Sequence, residues 1–461
     1  MYYRLKQFTV LAGDLVSLYL GLFLALILRY WDWSQVNFFK LFFPMGQIFL
    51  LAIIINFIIG LYDLSNCRNS WKFFQKIILS GLIWLGLASF YFYFSRYTSA
   101  TPKTILLLTA GCGFGLICLW RYFHNKFLAK TIFKVHIVCI GMNQEIKEII
   151  NLIKTNPELG YHILGVVEKQ ANLNLEKIPS GDFAITQNLT TIYETTGQKA
   201  DLIIVAPEMV DDEELTKELY GEIFRHAGVV NLEKFYEELF KRIPPFTFSQ
   251  SWFLANLEEQ KKKMYDRIKI LLDYFIAIII AIFFGISYPF VCLAIKFTSP
   301  GPIFFKQKRV GRGGRIFAIY KYRTMKSLNT DGSAEMNGPK FAEVNDTRIT
   351  TVGKFLRKTR LDEIPQFINI LRGEMSLVGP RPERPEFVAE LTGQMPFYSL
   401  RHLIKPGLTG WAQIHKSYYG TLEENLKKLE YDLYYLKNRG PVLDIVIILR
   451  TLKTVARMMG R

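Results

Sequence analysis

The sequence predicts a membrane protein in four parts: an N-terminal four-helix transmembrane bundle, a Rossmann-like α/β domain, a re-entrant membrane helix, and a mainly α (α+β) cytoplasmic domain. Three observations carry this. Four apolar stretches crowd into the first 120 residues, strand-like and helix-like runs then alternate, and a fifth apolar stretch has lysines and arginines on both flanks. Composition agrees, since half of the 461 residues are hydrophobic, 15% are aromatic, and the formal charge is +17. A basic excess suits nucleic acid, an anionic membrane surface or a phosphorylated substrate. Aromatic-rich apolar runs beside it favour the membrane, and a nucleic-acid binder would concentrate its charge without such spans. Cys67, Cys112, Cys118, Cys139 and Cys292 lack CxxC or metal spacing and read as free thiols.

The four stretches lie near residues 8–28, 41–60, 73–94 and 104–120. Each is long enough to cross about 30 Å of hydrocarbon as a helix. The first lacks a small-residue cleavage site and is followed by three more, which argues against a cleaved signal peptide. Lys and Arg set the sides. Arg4 and Lys6 precede the first span; Arg68, Lys72 and Lys76 separate the second and third; Arg121, Lys126, Lys130 and Lys134 follow the fourth. Both ends of the bundle (residues 1–128) are thus expected in the cytoplasm. Asp14 lies within the first span, near the interface, where a carboxylate needs a partner, a route to water, or a function.

Beyond the bundle, "KVHIVCIG" reads as a buried strand, "NQEIKEIINLIK" as an amphipathic helix, and "YHILGVV" and "ADLIIVAPE" as further strands. This alternation predicts a doubly wound α/β domain over 129–245. Gly141 opens a turn after the first strand, yet "GMNQEI" has one glycine where a dinucleotide fingerprint has three. A fold kept for assembly or regulation is the expectation. Within 246–300, the apolar run 270–295 is flanked by Lys261, Lys262, Lys263, Arg267 and Lys269 on one side and Lys296, Lys306, Lys308 and Arg309 on the other. Basic flanks at both ends oppose crossing, and Pro289 offers a kink. The segment is therefore expected to dip into the membrane and return.

From 301 to 330 there are eight Lys/Arg and no acid, so this stretch faces anions. "RVGRGGRIFAIYKYRTM" predicts a hairpin punctuated by Gly311, Gly313 and Gly314. Arg and Lys around glycines suit polyphosphate, and equally suit anionic lipid headgroups. Lys321 and Arg323 are the two favoured for substrate. In "TRLDEIPQFINILRGEMSLVGPRPE", Ile364, Phe367, Ile368 and Leu371 mark one helical face, and Gly373 ends it. Pro365 is tolerable only in the first turn, which places Asp362 at or near an N-cap and Glu363 just inside. Near the positive helix end, Asp362 is expected to stay ionised. It either caps the helix or, beside a phosphate site, attacks phosphorus. Its neighbour can hold Mg²⁺, and Arg357 and Arg381 can add guanidinium charge.

Taken together, "SPGPIFFKQKRVGRGGRIFAIYKYRTM", "NDTRITTVGKFLRKTRLDEIPQFINILRGEMSLVGPRPE", "KPGLTGWAQ" and "YDLYYLKN" resemble the polyprenyl-phosphate hexose-1-phosphate transferases, the monotopic phosphoglycosyl transferases of bacterial surface-polysaccharide synthesis. The resemblance is close over 265–461 and loose over the rest, where the spans and the Rossmann-like, CoA-binding-like domain resemble the long-form architecture. It implies a catalytic domain over 301–461 that moves sugar-1-phosphate from a UDP-sugar to undecaprenyl phosphate and releases UMP, in a multi-pass protein of the bacterial cytoplasmic (inner) membrane. Asp362 is implied as nucleophile through a phosphosugar-enzyme intermediate, and Glu363 as Mg²⁺ ligand. Lys321, Arg357, Arg381 and Asp432 match the family's other motif positions. The chain departs from the family where the re-entrant helix breaks, since Pro289 follows Tyr288 about a turn later than expected. Long-form relatives point to glucose or galactose as the sugar, with an N-acetylated hexose left open.

The last segment, "PVLDIVIILRTLKTVARMMGR", carries Arg450, Lys453, Arg457 and Arg461 as one basic stripe. It reads either as an interfacial helix or as one packed on the catalytic domain. Residues 404–420 are expected as a substrate loop, Asp346 and Arg348 as support for the site, and His402 and His415 as unliganded. The expected partners are a UDP-sugar, undecaprenyl phosphate and the lipid bilayer, with a homodimer left open and no nucleic acid. A rival is an inactive membrane-anchored nucleotide-sensing or assembly protein, against which the intact Asp362–Glu363 pair argues. A Rossmann oxidoreductase would need a glycine fingerprint and a Tyr-x-x-x-Lys dyad in the α/β domain, and neither is there.

Overall fold

The computed structural model describes residues 2–31, 38–62, 69–94, 103–126, 134–168, 183–210, 212–246, 250–257, 262–326, 348–415 and 421–456. The chain divides into two compact units, Met1–Leu239 and Phe240–Arg461.

The first unit opens with α1 (Tyr2–Tyr30), α2 (Phe38–Ile59), α3 (Trp71–Phe94) and α4 (Lys103–Phe123). All four are long and apolar enough to cross a membrane. In α1 Leu18, Leu22 and Leu26 are buried while Leu20, Leu24 and Leu28 are exposed, so one face packs and the other is left for lipid. Glycines bring α1 and α4 together: a Cβ on Gly21 would lie 2.4 Å from Gly113 Cα. Asp14 has a structural partner. Arg121 donates through Nε to Oδ1 (2.9 Å) and through Nη2 to Oδ2 (2.7 Å), and the Tyr62 hydroxyl donates to Oδ2 (3.0 Å). A carboxylate in an apolar bundle is tolerable because each oxygen is paired.

The same unit continues into β1 (Val135–Ile140), α5 (Gln144–Thr155), β2 (Tyr161–Val167), β3 (Ala184–Thr186), α6 (Leu189–Thr196), β4 (Leu202–Val205), α7 (Glu213–Phe224), β5 (Gly228–Asn231) and α8 (Leu232–Phe240). The strands pair in parallel in the order β3-β2-β1-β4-β5. Continuous apolar runs such as VHIVCI suit strands covered on both faces. Strand order reverses between β1 and β4, where doubly wound sheets bind dinucleotides. There Gly141 adopts φ 85°, and a Cβ on it would lie 2.8 Å from Ala206 Cβ and 3.2 Å from Met209 Cγ. The glycine serves close packing of the two loops, which fill that crevice. Lys6 of α1 donates through Nζ to the Leu159 carbonyl and lies 5.0 Å from the centre of the Tyr161 ring, tying bundle to sheet domain.

In the second unit, residues expected to be part of the α/β domain and a linker belong to the C-terminal domain instead. Ile243 N–H donates to Glu430 O (3.1 Å), and Arg242 Nη1 lies 2.7 Å from Glu430 Oε2. Phe253, on α9 (Gln250–Asn256), packs 4.3 Å from Phe397. Next, α10 (Lys263–Thr298) is one continuous helix of 36 residues, about 54 Å long. It runs through Pro289 without the break expected there.

The hairpin follows as β6 (Phe304–Val310) and β7 (Ile316–Tyr322), antiparallel in the register Phe304↔Tyr322 to Val310↔Ile316. Gly313 and Gly314 make its turn at φ 64° and 76°. Then come α11 (Thr351–Thr359), a 3₁₀ turn (Leu361–Gln366), α12 (Phe367–Leu371), β8 (Ser376–Val378), α13 (Pro385–Gln394), β9 (Gly407–Thr409), α14 (Trp411–His415), α15 (Leu422–Asn438) and α16 (Pro441–Ala456). Both readings of the last helix find support. Its Ile447 is buried against Val378, Trp411 and Tyr435, while Val442, Ile445 and Leu452 are exposed. Arg457, Arg461, Asp346, Cys67 and residues 416–420 lie outside the described residues.

Candidate active site

After α11, Arg360 turns left-handed (φ 56°) and the chain tightens into the 3₁₀ turn that carries Asp362, Glu363 and Pro365. This corrects the expected N-cap: Arg360 takes that position without a side-chain cap, and both acids lie within the turn. Its bonds run i→i−3, as in Glu363 N–H to Arg360 O (3.2 Å); Pro365 lies inside the turn rather than in its first residues as expected, and lacks the N–H that the next such bond would use. Gly373 (φ 74°) ends α12 as expected. Asn369, fully buried, donates to Ala318 O (2.7 Å) and accepts from Tyr320 N–H (3.3 Å), which pins α12 to β7. That contact sets Lys321 beside the acids.

The two carboxylates share burial and differ in surroundings. Glu363 Oε1 accepts from Lys321 Nζ (2.8 Å) and Arg381 Nη2 (2.9 Å), and Arg360 Nη1 lies 3.6 Å from Oε2. Burial alone would raise its pKa, but Lys321, Arg381 and Arg360 outweigh it and hold the carboxyl well below the ordinary range. Among the described residues no hydrogen bond reaches the Asp362 carboxylate. Burial and then the Glu363 charge push its pKa up to about 6, against the pull of Lys321, Arg357 and Arg381. Asp362 was expected to stay ionised beside a helix end; desolvation beside a like charge instead works against the charged form. Burial also lowers Lys321, which Glu363 partly offsets, whereas Arg381 is raised by Glu363.

Of the other expected residues, Arg357 donates from Nε to Thr324 Oγ1 (2.9 Å) and bears on Asp362 through its charge. Lys321, Arg357 and Arg381 thus converge on the pair. Arg323 does not. Its guanidinium turns to the Ser299 carbonyl (Nη2, 2.7 Å) and the Pro300 carbonyl, where it closes the end of α10. Asp432 is also removed from the pair: it is 1% exposed and ion-paired with Arg401 Nη2 at 2.8 Å. His402 is driven down to about 4 by burial and the Arg401 charge, and His415 stacks on Tyr431.

Sequence reasoning missed Arg309, Arg360, Glu383, Arg401 and Lys428. Arg309 Nη1 and Lys428 Nζ both face Glu383, and Arg401 bridges Asp432 to the Arg381 carbonyl. The available signals were the acid closing "GPRPE" and the i, i+4 spacing of Lys428 and Asp432 on one helix. The result is two buried acids within a basic shell, a setting built to receive anions.

The bacterial sugar transferase family profile matches residues 264–458. The chain is 35% identical over 291 residues to the UDP-N-acetylgalactosamine-undecaprenyl-phosphate N-acetylgalactosaminephosphotransferase of Aeromonas hydrophila, covering 61% of this chain and 67% of that protein. It is 43% identical over 163 residues to the UDP-glucose:undecaprenyl-phosphate glucose-1-phosphate transferase of Escherichia coli strain K12, covering 35% of this chain and 34% of that relative's length. An uncharacterized sugar transferase of Haemophilus influenzae is 29% identical over 409 residues, 84% of this chain and 82% of that protein, so that likeness extends into the N-terminal unit. The chain is a transferase and belongs to the bacterial sugar transferases, the family of polyprenyl-phosphate sugar-1-phosphate transferases.

Proposed function

We propose that the protein transfers hexose-1-phosphate from a UDP-sugar to undecaprenyl phosphate and releases UMP, with Asp362 as nucleophile, at the first membrane step of a bacterial surface polysaccharide. The observation that carries this is the asymmetry of the pair, in which Glu363 is held by three cations while Asp362 is buried and, among the described residues, accepts no hydrogen bond. A carboxylate so exposed to a phosphate site is a nucleophile in waiting. An Asp362 oxygen bonds to the phosphorus bearing the sugar, the bridging P–O bond breaks, and UMP leaves with the electron pair. A phosphate oxygen of the lipid then attacks the same phosphorus and Asp362 departs as carboxylate. Lys321, Arg357 and Arg381 bind the diphosphate and offset its charge, already oriented before substrate arrives. The donor is a UDP-hexose: glucose or galactose on sequence grounds, with N-acetylgalactosamine raised by the Aeromonas relative's name.

The residues present fit Mg²⁺. Both acids offer hard oxygen, and Mg²⁺ typically takes one or two carboxylates together with substrate phosphates. Glu363 is the residue we assign to hold it, through Oε2, since Oε1 is already taken by Lys321 and Arg381. When bound, the ion supplies neutralisation of phosphate charge.

Contacts at both ends of α10 support the membrane placement proposed here. Near its start Lys269 pairs with Asp444 of α16 (2.5 Å) and Asp273 accepts from Leu377 N–H (3.0 Å). Near its end Ile295 packs with Tyr322 and Leu356. A helix with both ends on one domain does not place them on opposite sides of a bilayer, which supports a dip into the cytoplasmic leaflet. The test is incubation of purified protein with Mg²⁺, undecaprenyl phosphate and a panel of UDP-hexoses. UMP from one donor, abolished in Asp362→Asn and by chelation, is expected. UDP as product, or an active Asp362→Asn, would overturn the mechanism.

A further inference from the structure

Arg381 sits on a loop whose carbonyls are held one after another. Gly407 N–H donates to Pro380 O (2.9 Å), Arg401 Nη2 to Arg381 O (2.9 Å), Arg309 Nη1 to Pro382 O (3.1 Å), and Val310 N–H to Glu383 O (2.9 Å). Two of these four residues are prolines, whose φ is fixed near −65°. With the carbonyls pinned and half the φ angles locked, the direction in which the Arg381 side chain leaves the backbone is fixed. Two donors are backbone groups of neighbouring strands. The other two are arginines, and both are tethered from behind by acids.

Arg401 is the more committed of the two. It is 3% exposed, and its guanidinium makes three hydrogen bonds: Nη1 donates to the Tyr398 hydroxyl (2.6 Å), and Nη2 donates to both Asp432 Oδ2 (2.8 Å) and Arg381 O. Asp432 projects from α15, as does Lys428 one turn earlier, which pairs with Glu383 on the same loop. One helix face therefore grips the loop at two points. At the loop's far side the Arg381 guanidinium meets Glu363 Oε1 at 2.9 Å.

We propose that Arg401, oriented by Asp432, is the positioning residue for Arg381: it holds the Arg381 carbonyl so that the guanidinium stays aimed at Glu363 and at the substrate diphosphate. This rests on the proposed phosphosugar transfer and assigns Asp432 a place behind the site. Lysine at 401 keeps the charge but lacks the planar fork that reaches Tyr398, Asp432 and the carbonyl at once. Loss of such a supporting contact costs about tenfold or more in activity.

The experiment is a double-mutant cycle on the full-length protein, reading UMP release as kcat/KM for wild type, Arg401→Lys, Arg381→Ala and the double variant. If Arg401 works through Arg381, Arg401→Lys costs about tenfold in the wild-type background and under about threefold once Arg381 is gone. Equal losses in both backgrounds would overturn the proposal, since a role in folding alone multiplies through. Should Arg401→Lys melt far below wild type, the isosteric Asp432→Asn supplies the same cycle. Full activity in Arg381→Ala would also overturn it. Failure of the wild type to release UMP from any donor would instead sink the reaction on which the proposal rests.

Discussion

Replacing Glu383 by Gln tests whether the charged network behind the site is held by its acids. The Glu383 carboxylate faces Lys428 Nζ and, at 3.6 Å, Arg309 Nη1. Burial works to raise its pKa, but Lys428, Arg401 and Arg309 prevail and bring it from 4.5 down to about 2. At roughly 1.4 kcal/mol per pH unit, that drop corresponds to about 3 kcal/mol of stability at neutral pH. Because the folded value is depressed, this contribution is present above the unfolded value of 4.5 and is lost as pH falls from there through about 2. Lys428 is itself lowered by burial, so the pair as a whole contributes less than the Glu383 figure. Glutamine keeps the shape and removes the carboxylate charge that faces Lys428 and Arg309. At pH 7 the variant should melt roughly 6–12 °C below wild type, taking 2–4 °C per kcal/mol for a unit of this size. The assay is thermal unfolding of both detergent-solubilised proteins at several pH values from 7 down to 2.5. The gap should hold above pH 5 and close below it. A gap under about 2 °C at pH 7, or one unchanged at pH 3, would refute the reasoning.

Three further outcomes are expected. Arg323→Gln should lower stability by about 2 kcal/mol through loss of the bonds closing α10 while leaving KM for the UDP-sugar unchanged; a raised KM at unchanged melting temperature would return Arg323 to the substrate site. Lys321→Met should cut UMP release by about 10²-fold or more with little change in melting temperature, and retained activity would remove Lys321 from the machinery. Asp14→Asn removes the carboxylate charge that pairs with the buried Arg121 guanidinium at 2.7 Å and should cost about 3 kcal/mol or more of stability, read as a lower melting temperature in detergent; an unchanged value would mean that the pair is dispensable.

Much of this was legible because its cause is local. The apolar spacing of Ile364, Phe367, Ile368 and Leu371 announces a helical face, and Gly373 announces its end, since both signals act within a turn or two. The start of that segment was not legible, because a left-handed arginine at 360 has no sequence mark. Arg323 misled for a related reason. It stands two residues after Lys321, so alternation along a strand would put both on one face. β7, however, ends at Tyr322, and beyond the last strand residue the alternation no longer holds. Arg401 and Lys428 were invisible because their partners lie 20 and 45 residues away. Only folding reveals which buried cation faces which acid.

The position of the carboxylates relative to α10 bears on how a lipid phosphate would reach them under the proposed reaction. α12 packs directly on α10: Ala277 is fully buried in the cluster that holds Ile370 and Met375, with Phe367 beside it. Phe284 stands 5.1 Å from Phe367, the residue that follows the 3₁₀ turn bearing both acids. Away from this contact α10 exposes Leu271, Phe275, Ile278, Ile282, Phe290 and Leu293, a surface suited to lipid. Packed helices stand about 8–10 Å apart, and each polar headgroup layer is roughly 5–7 Å deep. With α10 embedded as proposed, one helix layer above it would place Asp362 near the level where lipid phosphates reside. The acceptor phosphate can then meet Asp362 without drawing its chain out of the membrane, while the water-soluble donor enters from the other side. A single helix, anchored to the domain at both ends, would thus fix the depth of the chemistry.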